Sequence, residues 1–577
     1  MKALSFAFAA PLACERSRSR SFKRVRNARD LCAGLPCLWT DSETPIIDLG
    51  ATGVIIGILF SRASSTRIKS LPSDAPDCAD PELLAGWLVR ECWGAYVAVL
   101  TSLQDDSVQI LVDPSGLFPA YGTETATHHL VISHPGLIEQ VCGERPQPSW
   151  PNIQAQLARP DLRQRNTCLE RVREFGRGEL TVLGKKNSIG RSLWSPEMFM
   201  PSGNPRSCGE VANELQAITT IVVNAWASVL GPVAVAASGG VDSSMICAAL
   251  AKTGQSFDCV TLATADPSGD ESAYVEMLSR HLGVRSEVRV YDIEHIDPLH
   301  CVSTGLTRPT RKPFMAALDA ALFEAGQSLG AKVIFDGNGG DSLFCFLHSA
   351  IPIVDRLLSE GPGRGSASTF VDMCRLTGCD LPTMTRAVIR RLVHKRGGSV
   401  WPPDLRLLAA STEDVENVEP LSPWFDISVG RHRGKHDHLA LILRNQNRLN
   451  GVASLPRFSP LMSQPMVEYC LGVPTWLWCA GGINRAPARA AFASDLPRDI
   501  LVRTSKAGPD SFLWQFFETY RPIYRELLLD GMLARHGLLD RESVEQAIKV
   551  DSTSASEIIY RVLDLVEAEN WVRSWQG

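Results

Sequence analysis

The sequence predicts an α/β protein in which a β-rich N-terminal third precedes a parallel sheet covered by helices on both faces. Three observations carry this. Short β-type runs broken by turns fill residues 45–140, strands alternate with helical periods after about residue 210, and two glycine-rich loops follow two of those strands.

The opening MKALSFAFAAPLAC has the outline of a short secretory signal, but its apolar run is brief and the basic segment RSRSRSFKRVRNAR follows at once. A cleaved leader is therefore not expected. The basic segment reads as a solvated tail, the alternative being a patch for an acidic partner. GATGVIIGILF, AYVAVLTS, SVQILVD and HHLVIS read as strands. Residues 145–200 hold one helix and the β-like LTVLG, and MPSGNPRSCGE, from Met200, reads as a linker.

Beyond the linker, VANELQAITTIVVNAWASVL has helical spacing and PVAVAA is a buried strand. Then come the helix VDSSMICAALAK, the strand DCVTLATA, the helix ESAYVEMLSRHL closing at Gly283, the strand SEVRVY, the helix FMAALDAALFEAGQSL and the strand KVIFDG. Sheets of this kind bind ligands at the carboxyl ends of their strands, so the loops after PVAVAA, DCVTLATA and KVIFDG are the places to look.

Bulk properties narrow the functional classes. A length of 577 residues asks for two or three domains, and two are placed here, over 1–200 and 201–577. A net charge of -5 argues against a nucleic-acid binder, whose phosphate contacts need a basic face. The sixteen cysteines include no C-x-x-C pair and lie mostly inside apolar runs, which suits reduced thiols in a cytoplasm and argues against structural zinc. No apolar run approaches the roughly 18–20 residues that span a bilayer.

The first strand runs into Ser238-Gly239-Gly240-Val241-Asp242-Ser243-Ser244. The glycines let the backbone turn sharply and approach a ligand, the three serine hydroxyls can donate to phosphate oxygens, and the following helix points its N-terminus there. Asp242 beside a polyanion is costly without a divalent cation between them, which assigns it to Mg²⁺. The fourth strand runs into Asn338-Gly339-Gly340-Asp341, again glycines and an aspartate at a carboxyl end. Two such loops on neighbouring strands can face one another, so that Asp242 and Asp341 hold magnesium together.

S-G-G-V-D-S-S followed about a hundred residues later by G-x-G-x-D-x-x-F resembles the synthetase domain of asparagine synthetase, shared by β-lactam synthetases and lasso-peptide cyclases. The resemblance implies a PP-loop ATP-pyrophosphatase-like parallel α/β domain with additional helices over 201–577, and a degenerate glutaminase-like, Ntn-type β-rich domain over 1–200. It implies ATP contacts at Ala236, Ser238, Gly239, Gly240, Asp242, Ser243, Ser244, Leu262, Gly337, Asn338 and Gly339. It also implies cleavage between the α and β phosphates, and a catalytic Lys506 in R-x-x-K-x-G, with Arg503 nearby, alongside Asp242 and Asp341.

Two departures narrow the family. Glutaminase chemistry needs a cysteine exposed behind the initiator methionine, and Lys2 stands there; Cys14, Cys32 or Cys37 could serve only after processing. Where asparagine synthetases carry Glu and β-lactam synthetases Tyr, Asn338 cannot act as a base. A nucleophile already partly neutral is favoured, such as a peptide α-amine with a pKa of about 7.7–8.0. GDESAYVEMLSRHLG, GNGGDSLFCF and SPLMSQPMVEYCLGVPTWLWCAGGINRAPARAAF resemble the lasso-peptide cyclases. This implies macrolactam closure within a short precursor peptide and a leader-peptide protease as partner. The alternatives are another amide ligase of the same fold and an ATP-binding scaffold for precursor processing. Residues 345–460 are the expected substrate wall. Glu271, Glu468 and Arg485 read equally as ion-pair or catalytic groups, and Trp476 and Trp478 read as core.

Overall fold

The computed structural model describes residues 4–11, 23–24, 26, 36–184, 190–201, 206–263, 270–291, 293, 296–310, 312–393, 401–409, 419–422, 424, 430, 432–446, 457–503, 510–550 and 556–576. Lys506 and most of the basic segment lie outside them, as do Cys14 and Cys32.

The N-terminal region is two stacked sheets. The first holds β1 (Phe6–Pro11), β2 (Lys23–Arg24), β3 (Cys37–Thr40), β9 (Tyr121–Glu124), β10 (His128–Ile132) and β11 (Arg173–Glu174), ordered β11-β9-β10-β1-β3-β2. The second holds β4 (Ile46–Asp48), β5 (Gly53–Ser61), β7 (Cys92–Thr101), β8 (Val108–Val112), β12 (Glu179–Val182) and β13 (Arg191–Ser192), with β6 (Arg67–Ile68) paired to β5. The apolar opening of the chain is thus a central strand. Its residues alternate as a strand buried on both faces must. Phe6, Phe8 and Ala10 join the core between the sheets, whereas Ala7 and Ala9 join a core beneath the helices Gly136–Cys142 and Trp150–Ala158. Cys37 is buried in β3 opposite Ala9.

The helix Cys208–Leu230 begins with a reciprocal capping pair, Ser207 and Glu210, and carries the chain into the second region. There β14 (Val233–Ala236), β15 (Phe257–Ala263), β16 (Ser286–Val290), β17 (Val333–Asp336) and β18 (Arg457–Phe458) form a wholly parallel sheet in the order β16-β15-β14-β17-β18. The four expected strands are present, and the helix after β15 ends at Gly283 in the left-handed region as read. The fifth, β18, belongs to a two-residue stretch with no strand signal. Because β15 and β16 extend one way from β14 while β17 and β18 extend the other, the strand order reverses between β14 and β17, where a crevice opens at the carboxyl ends.

Packing continues across the boundary expected at 200/201. Phe60 and Trp93 from the second sheet stack on each other and meet Trp226 edge-on. The last helices, Asp510–Leu529 and Ser556–Gln576, share a core with the outer face of the first sheet. Trp476 and Trp478 lie in the core as expected. Among the described residues no helix is long and apolar enough to cross a membrane.

Candidate active site

At the β14–β17 reversal lies a cavity of about 440 Å³. Its floor is built by the two predicted loops, and their approach is close. A Cβ at Gly337 would sit 2.6 Å from the backbone nitrogen of Ser243, and one at Gly340 would run into the Asp242 carboxyl group. These two glycines therefore pack one loop against the other. Gly239 does have the left-handed backbone that glycine favours (φ 61°), but its missing side chain makes room for Tyr274 and Arg503. Ala236, Ser238, Gly240, Asp242, Ser243, Leu262, Gly337, Asn338, Gly339 and Asp341 all line the cavity. Gly239 and Ser244 do not; Ser244 is fully buried in the helix Val241–Lys252.

That helix starts at Gly240 with no side-chain cap, so its first amide groups face the cavity with the positive end of the helix dipole. The Ser243 hydroxyl also accepts from the Ser238 amide (3.2 Å), which folds the loop back on itself.

Asp242 and Asp341 converge. Both accept from Nη1 of Arg485, Asp242 at 2.8 Å and Asp341 closer still. Arg485 reaches them from a left-handed backbone position (φ 57°) and lies over the Phe346 ring. Beside two carboxylates this close together, a polyphosphate is best held with added positive charge between them. Two carboxylates with room for phosphate oxygens are a donor set that suits Mg²⁺, which binds through one or two carboxylates and substrate phosphates. Among the described residues no cluster of three acidic, histidine or cysteine side chains offers a fuller cage.

The far rim is held by Glu271, which pairs with Arg503 at 2.5 Å. Arg503 also donates to the Ser238 carbonyl (3.0 Å) and lies 4.1 Å from the Tyr274 ring centroid. Behind it, Arg489 donates to the Arg503 carbonyl (2.9 Å) and to Asn484 Oδ1 (2.8 Å); burial, then neighbouring Arg485, push Arg489 down to about 10. The segment leading to Lys506 is thus anchored up to Arg503, and Lys506 itself lies outside the described residues.

Four charged or amide-bearing wall residues carry no motif signal: Asp336, Arg444, Asn445 and Arg457. Asp336 accepts from the Asn338 amide (3.0 Å), the Ser459 hydroxyl (2.6 Å) and Arg457, so it shapes the second loop from below. Its place as the last residue of a buried strand was the one visible hint. Arg444, Asn445 and Arg457 do fall within the expected 345–460 wall. Glu468, by contrast, is remote from the cavity. It accepts from Arg62 (2.6 Å), Trp194 (2.7 Å) and Gln464 (2.8 Å) and joins the two regions.

Among solved structures, the allosteric regulatory enzyme of purine biosynthesis aligns at 11% identity over 41% of this chain and 60% of that one, with a TM-score of 0.17. The glutamine phosphoribosylpyrophosphate amidotransferase from B. subtilis, complexed with ADP and GMP, aligns at 11% identity over 58% and 84%, with a TM-score of 0.20. The chain spans about 60% of the length of the first, and both likenesses are too slight to speak for the fold. No curated protein matches. The family profile described as asparagine synthase matches residues 223–573, which take in β14 to β18 and every loop around the cavity. With more than half of the 577 residues so matched, the chain belongs to the asparagine synthase family.

Proposed function

We propose that this protein is an AMP-forming amide ligase that closes a macrolactam in a short precursor peptide, as a lasso-peptide cyclase does. The observation that carries the ligase part is the convergence of Asp242 and Asp341 on one guanidinium nitrogen above an uncapped helix N-terminus. The peptide part rests on Asn338 and on the cyclase-like segments.

In this reading ATP is a substrate. Leu262 and its strand neighbours contact the base, while Ser238, Ser243 and the amides opening the helix Val241–Lys252 hold the polyphosphate. Asp242 and Asp341 would hold magnesium, which supplies charge neutralisation on the phosphates. A side-chain carboxylate of an Asp or Glu in the peptide attacks the α-phosphorus and pyrophosphate leaves. The peptide's N-terminal amine then attacks the activated carbonyl, loses its proton and expels AMP. Asn338 takes no proton, so the amine must arrive neutral. Lys506 stabilises the charge developing on the phosphate and the tetrahedral centre. Holding the folded peptide before ring closure is catalysis by positioning. A leader-peptide protease acting first, and a cytoplasmic location, belong to the same reading.

The test is incubation of the protein with Mg·ATP and synthetic peptides having a free amino terminus and one internal Asp or Glu. Equal amounts of AMP, pyrophosphate and a peptide lighter by one water are expected. AMP and pyrophosphate with free aspartate and ammonia, and with no peptide, would move the protein to another amide ligase. No pyrophosphate with any acceptor would make it a scaffold.

A further inference from the structure

Four arginines line the cavity, and three of them are spent on carboxylates. Arg457 meets Asp336 and Asp319, Arg485 meets Asp242 and Asp341, and Arg503 meets Glu271. Arg444 is the exception. It is half-buried on the cavity wall and makes no hydrogen bond or ion pair among the described residues. Its place is nevertheless well fixed. It sits in the last turn of the helix Gly434–Gln446, and the next residue, Asn445, donates to the Ser342 hydroxyl beside Asp341. The same helix braces that turn again through His438, whose Nε2 lies 2.8 Å from the Leu343 carbonyl oxygen.

We infer that Arg444 receives the carboxylate of the acyl substrate. This rests on the amide-ligase reading above. A partly desolvated guanidinium without a counter-ion is costly, and a carboxylate that meets it two-pronged returns much of that cost. The helix dipole alone favours a cation in this turn but does not require it to face a cavity. Position selects the carboxylate over the nucleotide. Val260, Thr261 and Leu262 line the cavity from β15, and the phosphate-facing loop follows β14. The helix that carries Arg444 lies on the other side, packed through Asn445 against the turn that follows β17, and Arg444 lines the cavity from it. An acyl group entering from the β17 side meets Arg444 before it meets the phosphates, and is delivered towards the carboxylate pair that holds them in register.

The experiment uses the full chain with Arg444→Gln and Arg444→Lys. Calorimetry with magnesium and α,β-methylene-ATP is expected to give affinities within about twofold of wild type; a loss of about tenfold would put Arg444 on the phosphates and overturn the inference. In pyrophosphate–ATP exchange driven by the synthetic peptides, Arg444→Gln is expected to raise KM for the peptide about tenfold or more, with partial recovery in Arg444→Lys. An unchanged peptide KM would overturn it. If no peptide or other carboxylate drives exchange in the wild type, the ligase reading fails, and phenylglyoxal labelling of Arg444 under saturating Mg·methylene-ATP decides the residue's placement. Continued labelling supports the acceptor side, and protection by the nucleotide contradicts it.

Discussion

Among the described residues, two clusters of charge are built on opposite plans. In the N-terminal region Glu174 is buried between Arg163 at 2.7 Å and Arg308 at 2.8 Å. Arg308 also donates to the carbonyls of Gln164 and Asn166, and Arg163 to the Tyr121 hydroxyl at 3.3 Å. Burial alone would raise the Glu174 carboxyl, but Arg163 and Arg308 outweigh it and hold it below its ordinary range. Nearby, Arg177 is pushed down to about 10 by burial and by Arg163, and donates to Gln446. There the one carboxylate is met by two guanidinium groups, and Arg177 by the Gln446 side chain and carbonyl. In the cleft, among the described residues, Asp242 and Asp341 meet on the Arg485 guanidinium and Arg444 makes no ion pair. A carboxylate closed in by the chain's own guanidinium groups serves the scaffold; on the ligase reading, the acidic pair in the cleft is completed by a ligand.

The sharpest way to break this contrast is to mutate both clusters and read both stability and turnover. Asp242→Asn is expected to lower pyrophosphate release on the order of 10²–10³-fold, with a melting temperature unchanged or raised, since it removes the repulsion between the two carboxylates. Glu174→Gln should do the reverse. It leaves two buried arginines uncompensated, costing about 3–5 kcal/mol in urea unfolding, while turnover per folded molecule stays close to wild type. If the stability and activity effects were exchanged, the contrast would be wrong.

The contrast also explains which parts could be read from sequence. The cleft's two acidic loops are local strings, each tied to the end of a strong strand pattern, so Asp242 and Asp341 were legible. The N-terminal cluster joins Glu174 to Arg308 across 134 positions, and no local spacing announces that. The same holds for Arg444 and Arg457, which reach the cavity from a stretch without a motif. β1 gives no strand signal because its alternate residues, Phe6 and Phe8 against Ala7 and Ala9, are all apolar and so lack the in–out pattern of a half-buried strand. Gly339 is a loop glycine in the left-handed region (φ 87°), and its missing side chain also makes room for Met462, which the chain supplies 123 residues later.

Two smaller effects sharpen the picture. Gly337→Ala places a methyl against the Ser243 amide and should cost about 1–3 kcal/mol by overpacking. It should also weaken Mg·ATP binding, because it separates the loops that bring Asp242 and Asp341 together; a variant binding as tightly as wild type would show that the loops need not touch. The smallest effect concerns Lys435, fully buried with donors to His438, Cys470 and Val473. Burial pushes it down to about 8 from 10.5. Between those values the unfolded chain binds more protons than the folded one, so this group makes stability rise with pH across that window. Lys435→Met should flatten that rise in urea titrations; an unchanged slope would assign it to other groups.

The central claim is that the two converging carboxylates serve attack on the α-phosphorus by a substrate carboxylate. Supplying a peptide whose reacting carboxyl group carries oxygen-18, and following the label by mass spectrometry, addresses it directly. Transfer of one labelled oxygen into AMP is the predicted result. Label appearing in inorganic phosphate, with ADP as the nucleotide product, would contradict it.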